Sequence, residues 1–91
     1  MKVYHGTSDP TPVLKGAMAA GTWLAGHRFH AFRIAERRAA TRGGVPVVLE
    51  IETDAYDRVE GRDNPTYRFS GGTYKVNAVH SMERTETYGG T

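Results

Sequence analysis

Apolar and polar residues alternate in two parts of the chain and recur at helical spacing between them. The residues Lys2–His5 alternate and predict a short strand that ends in a turn over 6–10. Residues 45–53 form the strongest predicted strand, with Val47, Leu49 and Ile51 on one face. Between them, residues 27–41 predict a helix. We expect its side with Phe29 and Phe32 to pack on those three strand residues.

The remaining pattern is weaker and gives shorter elements. Thr11 and Pro12 are typical of a helix start, and the helix is predicted to run through Ala20 to a cap at Gly21. Further predictions are an extended piece over 22–25, a loop over 54–65, a strand over 66–69, a turn over 70–72 and a last strand over 73–80, with an extension to Arg84 left open. We expect the tail 85–91 to fray.

This order of elements, β-α-β-α-β-β-β, predicts a single α+β domain over residues 1–91. The chain has no cysteine, which excludes disulfides, thiolate metal sites and a cysteine nucleophile. Its net charge of +2 is too small to indicate nucleic-acid binding by itself. Without an apolar run long enough to span a bilayer, or a signal-like start, the chain is expected to be soluble and cytoplasmic, with no membrane partner.

Charge is nevertheless distributed unevenly along the chain. Residues 27–42 carry five arginines against Glu36, and residues 50–63 carry six acids against two arginines. Two solvated surfaces of opposite sign would account for this pattern. A basic wall facing a phosphate-bearing ligand across an acidic rim would account for it as well.

Two aromatic side chains are candidates for ligand contact. His5 ends the first strand directly before Gly6, where the missing Cβ allows close approach to the backbone. Trp23, the only tryptophan, lies between two glycines and is a candidate stacking platform. The structural alternatives are that His5 is an ordinary partly buried histidine and that Trp23 is a core residue. His27 and His30 have a spacing compatible with shared metal ligation, but no third ligand is indicated, so no metal is predicted.

The order of three short motifs resembles the ADP-ribosyltransferase fold. These are Tyr-His-Gly-Thr at 4–7, Gly-Thr-Trp-Leu-Ala at 21–25 before an alanine-bearing helix, and Asn-Pro-Thr-Tyr-Arg at 64–68 after an acidic loop. The set is most similar to rifamycin ADP-ribosyltransferases. The RNA 2′-phosphotransferases also begin with His-Gly-Thr and resemble residues 44–51. The resemblance implies two small sheets that form a cleft, with two short helices.

The same resemblance implies NAD as the substrate and a set of residue roles. His5 would hold a ribose hydroxyl, the backbone of Gly6 would hydrogen-bond the nicotinamide amide, and Trp23 would stack on the nicotinamide ring. Thr7 would belong to the same cofactor-binding set. An acid would stabilise the positive charge that grows on the ribose as the glycosidic bond breaks. Asp57 is the first candidate for this acid, with Asp54 and Asp63 as alternatives. The phosphates would be bound by one or more of Arg28, Arg33 and Arg68.

Two departures from the family pattern keep other functions open. Trp23 replaces the usual tyrosine, and Thr73 stands where many of these transferases place the acid, at the start of a late strand. The implied activity is transfer of ADP-ribose to a protein or nucleic-acid acceptor, or to water as an NAD glycohydrolase. Such a small domain would suit a toxin or a phage effector. A non-catalytic nucleotide- or protein-binding member of the fold is the alternative, followed by an RNA 2′-phosphotransferase.

Overall fold

The structure, a computed structural model, describes residues 1–81 and 85–87. In chain order its elements are β1 (Lys2–Thr7), α1 (Thr11–Leu14), β2 (Trp23–Ala25), α2 (Arg28–Arg42), β3 (Val47–Glu52), β4 (Tyr56–Glu60), β5 (Thr66–Phe69), β6 (Lys75–His80) and β7 (Thr85–Thr87). The chain therefore forms a small α+β domain, as the order of elements predicted. Among the described residues, no helix is both long and apolar enough to cross a membrane.

The seven strands of the described residues lie in one antiparallel sheet in the order β4-β5-β2-β1-β3-β6-β7. The two separate sheets that were expected are thus not what the structure contains. Pairing is nevertheless uneven, because β1 and β3 pair along six residues while β1 and β2 share a single registered pair, Tyr4 with Ala25. We call this β1–β2 junction the seam of the sheet.

The sheet has apolar side chains on both faces. One face carries the larger core, to which the strands contribute Val3, Leu24, Leu49, Ile51, Tyr67 and Phe69. Val13 of α1 and Met18 after it cover this core. The other face carries Ala25 and Val48, and α2 packs on it.

Helix α2 approaches the sheet through small residues. Ala31 and Ala35 are fully buried, and Gly6 lies directly beneath them, so close that a Cβ on Gly6 would overlap the Ala31 carbonyl oxygen. Phe29, which was expected to face the sheet, is instead 80% exposed. Phe32 is half-buried against the Ala25, Ala31 and Val48 cluster.

The expected contact between this helix and β3 is wrong in one respect. Leu49 and Ile51 are buried, as predicted, but they lie in the larger core on the face opposite α2, with Val47 only half-buried. Val48 is the β3 residue that packs with α2. Because β3 is covered on both faces, its alternation did not reveal which set of residues meets the helix.

Several element boundaries also differ from the prediction, since β1 continues to Thr7 and β6 begins at Lys75. The predicted loop over 54–65 contains β4, an edge strand whose residues after Tyr56 are all exposed. The first helix ends at Leu14, ahead of Gly16 with its φ of 87°. Thr85–Thr87 pair with β6 although a frayed tail was expected. The extension to Arg84 and the tail beyond residue 87 lie outside the described residues.

Candidate functional site

Strand register places three of the sequence candidates side by side on the α2 face of the sheet. Trp23 of β2 is the registered partner of Arg68 of β5, and Arg68 is the registered partner of Asp57 of β4. Registered partners in an antiparallel sheet point to the same face. With strands about 4.8 Å apart, the row extends about 10 Å from the Trp23 backbone to that of Asp57. We call these three residues the cross-strand row.

The row combines an aromatic ring, a cation and an acid on an accessible surface. Arg68 and Asp57 are exposed, and Trp23 is half-buried. Arg68 Nη1 donates a hydrogen bond to the Gly21 carbonyl oxygen at 3.2 Å, which holds the guanidinium close to β2. Such a row can stack a flat heterocycle, bind a phosphate and accept hydrogen bonds from sugar hydroxyls.

Helix α2 fixes the tryptophan ring from above. The His30 ring lies 5.0 Å from the Trp23 ring, centroid to centroid, with the ring planes at 89° to each other. His30 Nδ1 is buried and has no hydrogen-bond partner in the structure. From the sequence, His30 was a candidate only for metal ligation, and no spacing signal connects it with Trp23 across the intervening turn.

His5 lies on the opposite face of the sheet from the Trp23 ring. It is registered with Leu49 of the larger core, and only 6% of it is exposed. Its Nδ1 lies 3.2 Å from the Trp23 carbonyl oxygen across the seam. Since a carbonyl oxygen only accepts, Nδ1 carries the proton. Burial lowers the pKa of His5 and the charge of Arg38 lowers it further, against the opposing effect of the hydrogen bond.

The two residues after His5 are also engaged within the fold. Gly6 faces α2, so the open approach expected at this glycine is filled by the helix, and its carbonyl oxygen accepts from Arg38 Nη1 at 3.1 Å. Thr7 Oγ1 donates to the carbonyl oxygen of Asp9 and accepts from the Asp9 amide. In this structure the His-Gly-Thr segment therefore contacts β2 across the seam, helix α2 and the turn that follows β1.

The other candidate acids form contacts with groups outside the row. Asp54 is 3.3 Å from the Met1 ammonium, which Glu52 also contacts at 2.6 Å, and these carboxylates raise the pKa of the Met1 amino group. The Asp63 carbonyl oxygen accepts from His27 Nε2 at 2.7 Å, so this contact ties the acidic loop to the start of α2.

Thr73, Arg28 and Arg33 have different surroundings in the structure. Thr73 lines an open groove of about 510 Å³ together with Asp54 and Lys75, and this groove shares no residue with the row. The guanidinium carbon of Arg28 lies 5.9 Å from the Phe29 ring centroid. Arg33 is exposed on the outer side of α2. Among the described residues, no three histidine or acidic side chains are grouped closely enough to hold a metal ion.

Comparisons with known proteins add no relative to this description. No protein-family model, no curated protein and no solved structure matches the chain. The geometry of the site and the motifs are therefore the features of this chain that point to a function.

Proposed function

We propose that this domain is an ADP-ribosyltransferase-like protein that binds NAD along the cross-strand row. It would break the bond between nicotinamide and ribose and transfer ADP-ribose to a macromolecular acceptor or to water. The observation that carries the proposal is the registered alignment of Trp23, Arg68 and Asp57 on one open face. The resemblance nominated these three residues for three different parts of the same ligand.

Each residue of the row suits one chemical group of NAD. Trp23, whose ring plane lies at 89° to that of His30, would stack on the nicotinamide. Arg68 is placed next to it for a phosphate oxygen, with which a guanidinium forms paired, charge-assisted hydrogen bonds. Asp57 is the adjacent acceptor for ribose hydroxyls.

Asp57 would act in the bond-breaking step through its charge. Positive charge develops on the ribose as nicotinamide leaves, and a fixed carboxylate nearby stabilises the transition state more than the ground state. The same carboxylate can orient the incoming nucleophile and accept its proton.

His5 has a positioning role in this proposal. Its ring is enclosed, and its Nδ1–H is committed to the Trp23 carbonyl oxygen, so it holds the β2 backbone that carries the tryptophan. Gly6 and Thr7 support the same end of β1 through their contacts with α2 and with Asp9.

Nicotinamide release from NAD by the purified domain tests the proposal. Asp57→Asn should lower turnover about 10²- to 10³-fold while NAD affinity changes little. Asp54→Asn removes an exposed charge away from the row and should leave turnover unchanged. Thr73→Ala should also be silent. Loss of turnover in Thr73→Ala with none in Asp57→Asn would move the site to the late strand.

NAD binding is measured separately from turnover. We expect NAD to quench Trp23 fluorescence, Trp23→Ala to weaken NAD affinity, and Trp23→Phe to retain most of it because stacking needs only a ring face. A folded Trp23→Ala protein with unchanged NAD affinity would contradict the assignment.

A non-catalytic nucleotide-binding domain is the second candidate function. It is favoured by the enclosure of His5 and by Thr73 at the late-strand position. The two candidates differ in one measurement: a binding domain binds NAD, with weaker affinity in Trp23→Ala, yet releases no nicotinamide and adds no ADP-ribose mass to itself or a partner.

A further inference from the structure

The outer side of α2 presents an aromatic ring and two guanidiniums to solvent. Phe29, Arg33 and Arg37 follow one another at four-residue spacing and therefore lie along one side of the helix. All three are exposed, and Phe29 is 80% exposed. The opposite side of the helix, with Ala31 and Ala35, faces the sheet. We call Phe29, Arg33 and Arg37 the outer stripe.

The fold makes no use of the stripe's charges. Within residues 1–81, neither Arg33 nor Arg37 forms an ion pair or a side-chain hydrogen bond. Like charges one turn apart destabilise a helix, and this pair is of that kind. Arg28 stands at the first position of α2, where the positive end of the helix dipole disfavours a cation. These arginines therefore do not stabilise the helix through its dipole or through an ion pair within residues 1–81.

The stripe borders a shallow surface groove. The groove has a volume of about 460 Å³ and is lined by Arg33, Arg37, Glu36 and Ala40. Glu36 is the only acid between residues 27 and 42, against five arginines, so the segment keeps a net charge of +4. A polyanion that lies along the helix would offset the repulsion between the arginines.

We propose that the outer stripe binds single-stranded nucleic acid. Proteins that hold single strands combine a basic surface that follows the backbone with aromatic rings on which bases stack. Here Arg33 and Arg37 would contact phosphates and Phe29 would stack on a base. An exposed ring can reach only an unstacked base, which favours a single strand over a duplex. A membrane surface is a poorer match, since the stripe offers one apolar side chain where an interfacial helix needs a continuous apolar face.

This inference does not depend on the NAD proposal. The cross-strand row lies on strands β2, β5 and β4 of the sheet, whereas the outer stripe lies on the side of α2 that faces away from the sheet. Binding to the stripe is measured without NAD, so failure of either proposal leaves the other one standing.

Fluorescence anisotropy with a labelled oligouridylate of about 12 nucleotides tests the proposal, since single-strand sites span about 4–16 nucleotides. We expect affinity to fall as salt rises. The double variant Arg33→Gln/Arg37→Gln should reduce the slope of log affinity against log salt by about 1.4, because each phosphate that an arginine neutralises adds about 0.7 to the slope. Phe29→Ala should weaken binding about 5- to 150-fold.

The matched control is Lys15→Gln/Arg62→Gln, which removes the same charge from exposed residues outside α2. This control should keep the wild-type salt slope, and thermal melts of all variants should show that the exposed substitutions leave the fold intact. Equal losses in the two double variants would overturn the proposal, because binding would then follow net charge alone. No binding at low salt would overturn it as well.

Three competitors separate the alternatives. A duplex of the same length should bind more weakly than the single strand, and Phe29→Ala should not affect it. An oligoglutamate that displaces the oligonucleotide and binds more tightly would reassign the stripe to acidic peptides. The third probe is a vesicle that contains phosphatidylserine. If the protein binds this vesicle at a salt concentration at which it does not bind the oligonucleotide, the stripe would be reassigned to membranes. Either result would contradict the proposal.

Discussion

Substitution of Gly6 by alanine measures how closely α2 lies on the sheet. The added Cβ would overlap the Ala31 carbonyl oxygen and lie 2.9 Å from the Ala35 amide nitrogen. Both obstacles are helix backbone, so rotation of a side chain cannot relieve them. The helix must therefore move outward by about 1 Å or more to restore normal contact distances.

The expected cost follows from that displacement. Overpacking of a well-packed interior costs about 1–3 kcal/mol. Here the outward shift also loosens the packing of Val48 against Ala31, so we expect the upper end of the range, about 3 kcal/mol. For a domain of this size, that loss corresponds to a fall in Tm of about 12–24 °C. Urea unfolding followed by Trp23 fluorescence and thermal melting followed by circular dichroism measure it.

Two comparison variants isolate the cause. In Gly16→Ala the added Cβ meets no atom within 4 Å, but Gly16 has a φ of 87°. The expected loss of about 1–2 kcal/mol in unfolding free energy therefore reports backbone strain without overlap. Ala31→Gly should fail to rescue Gly6→Ala, since the overlap involves the Ala31 carbonyl group. An unfolding free energy for Gly6→Ala within about 0.5 kcal/mol of wild type would refute this packing of α2.

Three further predictions concern stability. Because burial lowers the pKa of His5, protonation favours the unfolded state. The His5 contribution should be complete above about pH 6.5 and lost as pH falls from there to its lowered pKa, and His5→Gln should flatten this dependence in urea titrations at several pH values. Tyr74→Phe should cost about 1 kcal/mol by removing the hydrogen bond to the Val13 carbonyl oxygen, measured by urea unfolding. Leu49→Ala should cost about 2–5 kcal/mol, whereas Val45→Ala, at a 65% exposed position, should cost less than about 0.5 kcal/mol in the same assay.

Local patterns predicted most elements but not the faces on which they meet. Strand β3 and helix α2 appear at nearly their predicted positions, because alternation and capping glycines are local signals. The predicted contact between them was wrong because Phe29 and Phe32 are bulky and apolar, and both were therefore assigned to the side of the helix that faces the sheet. In the structure, alanines form the interface, and a close approach of helix to sheet requires such small side chains. Hydrophobic size is therefore a poor guide where two backbones nearly touch.

Strand β4 shows a second limit of the sequence pattern. Its residues after Tyr56 are charged or exposed, which is how edge strands avoid pairing with other molecules. The same polar composition indicated a loop. Asp57 lies beside Arg68 only because β4 pairs with β5. Both residues were candidates from the sequence, but their proximity could not be predicted without this strand.

The strand order places the His-Gly-Thr segment and the residues proposed to act on NAD in different parts of the sheet. Trp23, Arg68 and Asp57 all belong to the β2-β5-β4 part of the sheet, whose internal pairing fixes their spacing without reference to β1. His5 and Gly6 lie across the seam, where they hold β2 and α2 in place. Substitutions in the His-Gly-Thr segment should therefore act first on stability, and loss of NAD binding there would not identify a contact residue. Substitutions in the exposed part of the row leave the core intact, so only they can separate a catalytic domain from one that binds nucleotide without turnover.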